Sequence, residues 1–221
     1  MTVIDQPLLA NESATEAPQR FIFDDVDWAF YENVGDKLAD RHVFATYFKG
    51  RLEIVTVSFL HERMTALLVI MIRVMAEEMS LALLSAGMTT LKRVDLDEGV
   101  EPDSSFYTKH AERMRGKKVL DLAVDPPPDL AVEIEVTRRL GSRQSIYQDM
   151  GVPEIWLCST KRLSVLIRSG SNYIAADRSP TFPLLSPDEL FSIADSGLTE
   201  DETAFAKAFR VRIQKVLAGK S

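Results

Sequence analysis

The segment that most restricts how this chain can fold is residues 126–137, PPPDLAVEIEVT, which leads through a polar break into residues 143–156, RQSIYQDMGVPEIW. Leu130, Val132, Ile134 and Val136 alternate with Ala131, Glu133, Glu135 and Thr137. That period of two predicts a strand with both glutamates on one face. The triple proline before it forces an extended entry. Carboxylates two residues apart in an apolar strand repel each other and resist burial, so such a pair is stable when protonated, solvated or sharing a cation. The shared cation is the arrangement that performs chemistry.

The rest of the chain supplies helices and strands around this unit. Residues 1–20 are polar and aperiodic and predict a tail, followed by one domain over 21–198 and an amphipathic helix over 199–221 packed on it. Residues 27–38 predict a short helix capped by Asp27, and residues 47–57 a hairpin turning at Lys49-Gly50, with Glu53 in its second strand. From His61 the residues Met64, Leu67, Leu68, Met71, Val74, Met75 and Met79 recur at helical spacing, a stripe that reads as core packing. His61 and Glu62 at its start are candidate accessory residues, although a helix N-terminus favours an acid through its dipole alone. Residues 86–94 and 101–107 predict two strands joined by the acidic turn DLDEG, which puts Asp103 just after a proline at the start of a strand. Beyond the glutamate strand come a two-turn helix from Ser142 to Gly151, a strand over 154–159, a hairpin over 163–176, a helix capped by Ser186, and the last helix over 200–217.

Composition narrows the function. The 221 residues carry a formal net charge of -7, unlike the overall basic balance of most nucleic-acid binders, so any such footprint must be local. Lys109, Arg113, Arg115, Lys117 and Lys118, set against the single acid Glu112, form one such cluster, and Arg138 and Arg139 a second. A solvated charged face is the plainer account of a run like this. The single cysteine, Cys158, excludes an intramolecular disulfide and a cysteine-based zinc site. Neither a secretory leader nor a long apolar span stands out, and the expectation is a cytoplasmic protein.

Several motifs occur in a fixed order: T-Y-x-x-G-R-L-E-I from Thr46, S-x-x-H-E from Ser58, T-T-L-K-R from Thr89, G-V-E-P-D-S-S-F-Y from Gly99, D-P-P-P-D-L-A-V-E-I-E-V-T from Asp125 and I-Y-x-x-x-G-V-P-E-I-W from Ile146. In this the chain resembles the Uma2 (Uma-two) family of restriction-like endonucleases over roughly residues 21–165. The resemblance implies a mixed α+β PD-(D/E)xK core of helix, three strands, helix and strand, a central mixed sheet flanked by helices, and a magnesium site. It carries the metal-binding acids onto Asp103 and Glu133. The superfamily's in-line lysine falls on Glu135, and the lysine that this family takes from the following helix falls on Arg143. Asp129, also after a proline, reads as a strand-entry residue.

Phosphodiester hydrolysis needs a hydroxide at neutral pH and neutralisation of charge growing on phosphorus-bound oxygens, and a carboxylate-bound Mg²⁺ or Mn²⁺ supplies both. Mg²⁺ takes octahedral oxygen ligands, typically one or two carboxylates with water and substrate phosphate. Asp103 and Glu133 suit that role, with Glu135 as a third ligand or the anchor of a bound water. Arginine does not lose its proton in proteins, so Arg143 stabilises charge but cannot be the base. Two expectations follow. One is a metal-dependent nuclease acting on DNA, with the two basic clusters on phosphates and a homodimer as a possible assembly. The other is a weakened descendant that binds nucleic acid or a protein without cutting. The plainer alternative makes Asp103 a turn cap and pairs Glu133 and Glu135 with Arg138, Arg139 or Arg143.

Overall fold

The computed structural model describes residues 19–38, 43–135 and 141–219. Its elements are β1 (Arg20–Phe23), α1 (Trp28–Leu38), β2 (Val43–Phe48), β3 (Arg51–Thr56), α2 (Phe59–Glu78), β4 (Leu84–Ser85), β5 (Leu91–Arg93), β6 (Glu98–Val100), β7 (Ser104–Tyr107), α3 (Ala111–Met114), β8 (Leu130–Glu135), α4 (Gly141–Met150), β9 (Glu154–Ser159), β10 (Leu163–Ser169), β11 (Asn172–Ala176), α5 (Pro187–Gly197) and α6 (Glu202–Ala218). Local chemistry sets many of the boundaries. Asp27 Oδ1 accepts from the Phe30 amide at 2.8 Å and Ser58 Oγ from the His61 amide at 3.3 Å, so each caps the helix that follows it. Ser186 and Glu189 form a reciprocal capping box with Pro187 at the first helical position. Lys49 and Gly50 both take positive φ, 46° and 88°, as a two-residue hairpin turn of the primed type requires.

Two sheets result. The first has five antiparallel strands in the order β1-β3-β2-β6-β5, and the second six strands in the order β11-β10-β9-β8-β7-β4. Among the described residues only β8 and β9 run parallel, and α4 is the crossover that parallel neighbours need. The mixed α+β architecture is as expected, but its strands divide between two sheets instead of gathering into one. Pro102 marks the division: it lacks an amide donor, so β6 ends before it in the first sheet and β7 begins after Asp103 in the second. The strand predicted over 86–94 accordingly shrinks to Leu91–Arg93, and the DLDEG turn joins it to β6 and not to the strand of Asp103. β1 went unread, since four residues without clear alternation give no periodic signal.

Both faces of β8 are covered. Leu130, Val132 and Ile134 pack with the α2 stripe (Leu67, Leu68, Met71, Met75), Trp156 of β9, and Phe205, Phe209 and Ile213 of α6. Ala131, on the opposite face, packs with Ile146, Tyr147 and Met150 of α4 and with Leu91 and Val100 of the first sheet. Glu133 shares the Ala131 face, so the second sheet, α4 and the first sheet together enclose it. Beyond α4, the first sheet packs its other face on α1, where Tyr31 stacks on Tyr47 at 5.1 Å and Trp28 meets both rings edge-on. A β-carbon at Gly99 would collide with the Tyr31 ring, so this close approach requires glycine.

Candidate active site

Asp103 immediately precedes β7, and Glu133 sits in the neighbouring strand, where Ser104 is paired with Val132. Both acids are buried, at 3% and 2% exposure. Asp103 Oδ2 accepts the Ile134 amide at 2.5 Å and lies 3.1 Å from His61 Nε2 at the start of α2. Glu133 Oε1 accepts from Arg143 Nη2 at 2.6 Å and from the Tyr147 hydroxyl, both from α4. Arg143 and Tyr147 are four residues apart and therefore share one face of that helix. The guanidinium also donates to Thr46 Oγ1 of β2 at 2.7 Å and to the Glu101 carbonyl at 2.6 Å. One side chain from the crossover helix thus ties both sheets together at the glutamate.

Electrostatics follow from burial. Loss of water pushes the Glu133 carboxyl upward; Arg143 opposes this, nearby Asp103 adds to it, and the net direction is up. Burial is the largest single influence on Arg143 and disfavours the cation, yet the charges of Glu133, Tyr147 and Asp103 and the hydrogen bond to Glu133 together outweigh it and keep the guanidinium protonated. Tyr147 is raised well above the ordinary phenol value, by burial first and then by Glu133, so it remains a donor. Burial lowers His61, but its hydrogen bond to Asp103 and the charges of Asp103, Glu62 and Glu133 raise it overall. A buried acid is not by itself a site: Glu154 is equally enclosed, but Trp156, Ser179 and Thr181 all donate to it. Asp103 differs, because its Oδ1 is buried without a hydrogen-bond partner among the described residues.

That orphaned oxygen, beside a second carboxylate of hard donor character, fits a magnesium-type ion held by two protein ligands. A third is not in place, since no group of three His, Cys, Asp or Glu is arranged to hold a metal among the described residues. Glu135 occupies the Glu133 face at the end of β8, and Glu133 is turned toward Arg143. Among the described residues Asp103, Glu133 and Glu135 are not gathered into a metal-holding group of three.

Of the accessory candidates, His61 reaches Asp103. Glu62 lies 3.6 Å from the other His61 nitrogen, and Glu53 stands opposite Thr46 while pairing with Arg20 at 2.6 Å. Asp129 is the strand-entry residue it was read to be, accepting from the Thr108 and His110 amides and from His110 Nδ1. The basic cluster falls elsewhere. Asp103 precedes β7 and Lys109 follows it, so α3 and its cations lie at the other end of the β7–β8 pair from Glu133. All five cations are exposed; Arg113 binds the Val124 carbonyl, Arg115 pairs with Glu112 and Lys117 with Asp125, while Lys109 and Lys118 make no ion pair among the described residues. Arg138 and Arg139 lie outside the described residues. The sequence reading missed Tyr147 and Thr46, though both stand in the motifs quoted above.

An acid at the start of one strand, another in the adjacent strand and a cation on the crossover helix, built on a mixed sheet, define a restriction-endonuclease-like protein. Residues 31–198 match the model of the Uma2 family, described as "Putative restriction endonuclease", and the chain belongs to that family. A crystal structure described as "a putative nuclease belonging to DUF820", from Anabaena variabilis, is similar over 67% of this chain and 89% of that one, at 16% identity and a TM-score of 0.47. No curated protein matches the chain. No helix among the described residues is long and apolar enough to cross a membrane.

Proposed function

We propose that the protein is a metal-dependent endonuclease that hydrolyses phosphodiester bonds of DNA, using Mg²⁺ or Mn²⁺. The observation that supports this most is the buried pair of Asp103 and Glu133 on adjacent strands, with Asp103 Oδ1 unsatisfied among the described residues. These two carboxylates would hold the ion. When bound, such an ion supplies an acidified water and offsets the negative charge that grows on the phosphoryl oxygens. The remaining work belongs to side chains. Arg143, permanently protonated, neutralises charge beside Glu133 but accepts no proton. Tyr147 fixes the Glu133 carboxylate by donating to it, and His61 holds Asp103 from the α2 side.

A second reading, binding without cleavage, is favoured by one observation. Both terminal nitrogens of Arg143 are already committed to Thr46, the Glu101 carbonyl and Glu133, a set of contacts that closes the site around the glutamate. Incubating supercoiled plasmid and single-stranded RNA with the protein plus Mg²⁺, Mn²⁺ or EDTA separates the two. Metal-dependent nicking of DNA that Glu133→Gln abolishes supports the nuclease. A gel shift without cleavage of either nucleic acid supports the binder.

A further inference from the structure

Among the described residues β1 is an edge strand with one side unpaired, and all four of its residues are exposed. Exposure at Phe21, Ile22 and Phe23 is 49%, 39% and 40%. Bare apolar edges invite pairing with another strand, and proteins ordinarily blunt them with charge, proline or a covering segment. The hydrogen-bond phase of β1 shows what its bare side offers. The Gln19 carbonyl accepts the Thr56 amide, and the register pairs Phe21 with Ile54 and Phe23 with Leu52. Residues 19, 21 and 23 therefore bond inward to β3, while the backbone groups of Arg20, Ile22 and Asp24 face outward.

We infer that β1 pairs antiparallel with β1 of a second copy of this chain, about a twofold axis at Ile22. That register sets Ile22 against its own copy, Phe21 against Phe23, and Arg20 against Asp24. Each match is between groups the edge presents. The outward amides and carbonyls at 20, 22 and 24 meet those at 24, 22 and 20, as an isologous C₂ contact demands. Phe21 and Phe23 lie on the α1 side, where Phe23 already meets Phe30 at 6.0 Å, so two copies join their aromatic groups into one ridge. On the opposite side Asp24 pairs with Arg51 at 3.3 Å and Arg20 with Glu53 at 2.6 Å within one chain. Bringing Arg20 of one copy to Asp24 of the other extends these into a row of alternating sign. The merged sheet has ten strands. The axis is perpendicular to it, so both copies of Thr46 and Glu53 occupy the same face, with the two β2 strands about 24 Å apart at ordinary strand spacing. The pairing does not depend on the chemistry at Glu133.

Sedimentation velocity of the full chain over a concentration series tests this, together with two variants. The wild type should sediment as a dimer at about 100 µM and dissociate on dilution, as a small interface should. Ile22→Pro removes an outward amide and no bond to β3, a place where edge strands tolerate proline, so it should be monomeric with an unchanged circular dichroism spectrum. Ile22→Cys should form a disulfide-linked dimer under mild oxidation, since directly paired residues of this kind have Cα atoms about 5.5 Å apart and the native Cys158 is buried. Ile174→Cys, on the exposed edge strand of the other sheet, should not. A monomeric wild type, a dimer that survives Ile22→Pro, or cross-linking through residue 174 and not 22 overturns the proposal. Dimerisation only after deletion of residues 1–18 also overturns it, by making that segment the occupant of the edge.

Discussion

Removing the guanidinium at position 143 should cost most of what stability a single side chain in this fold can supply. Arg143 is 2% exposed, and it makes three charge-assisted contacts: Glu133 at 2.6 Å, Thr46 at 2.7 Å and the Glu101 carbonyl at 2.6 Å. Deleting one member of a buried ion pair costs about 3–5 kcal/mol, chiefly because the surviving charge is left uncompensated. With a urea dependence of about 2.5 kcal/mol per molar for a chain of this size, Arg143→Ala should lower the unfolding midpoint by about 1.5 M at pH 8. The double variant Arg143→Ala with Glu133→Gln should recover a large part of that loss, giving a coupling of about 2 kcal/mol or more. The loss should also shrink in acid. Glu133 is held above the usual carboxylate range even with Arg143 present, and higher without it. A raised folded value means that the neutral form's advantage is present below the unfolded value and disappears as pH rises through the folded one. Urea titrations of the four proteins at pH 5 and pH 8 provide the check. A midpoint shift of Arg143→Ala below about 0.4 M, or no recovery in the double variant, would refute the claim that this pair is what binds the two sheets at the glutamate.

Three other outcomes are expected. Arg143→Lys exchanges a permanent fork for a titratable ammonium and should raise Mg²⁺-dependent plasmid cleavage about 10²-fold, while Arg143→Ala should not; a slower lysine variant would make the arginine itself the working cation. Mg²⁺ or Mn²⁺ should raise the melting temperature of the wild type by mass action and do far less for Asp103→Asn, and equal shifts would place the ion elsewhere. Glu98 is fully buried near Lys49, and burial first, then Asp149, hold its carboxyl above the usual range against the opposing Lys49. The neutral form is thus favoured in the fold, and stability tied to it is lost as pH rises through the folded value. Glu98→Gln should therefore stabilise at pH 7 and change little at pH 4, measured as melting temperatures across that range; a uniform effect would contradict the assignment.

Periodicity carried most of the elements. The α2 stripe from Met64 to Met75, the alternation from Leu130 to Glu135, the turn at Lys49-Gly50 and the caps Asp27 and Ser186 are local signals, set by backbone preference and side-chain spacing, and each matches an observed element. The motifs around Asp103 and Glu133, joined to the family resemblance, also placed these acids on neighbouring strands. The division into two sheets was not legible, because strand pairing is a choice among distant segments that no single window of sequence contains.

The candidate site divides along the same line. Which residues carry charge, and that Arg143 replaces a lysine expected from the resemblance, are properties of the chain alone. What Arg143 does is not, because its partners Thr46 and Glu101 lie 97 and 42 residues away in sequence and meet it only where α4 crosses between the sheets. The position of the basic run from Lys109 to Lys118 was likewise set by topology: close to Asp103 in sequence, it is carried by the length of β7 to the opposite end of the strand pair. Glutamate spacing along β8 placed Glu133 and Glu135 on one face. Only tertiary packing turned Glu133 inward to a buried cation and a tyrosine, because a desolvated carboxylate must find donors where the fold provides them.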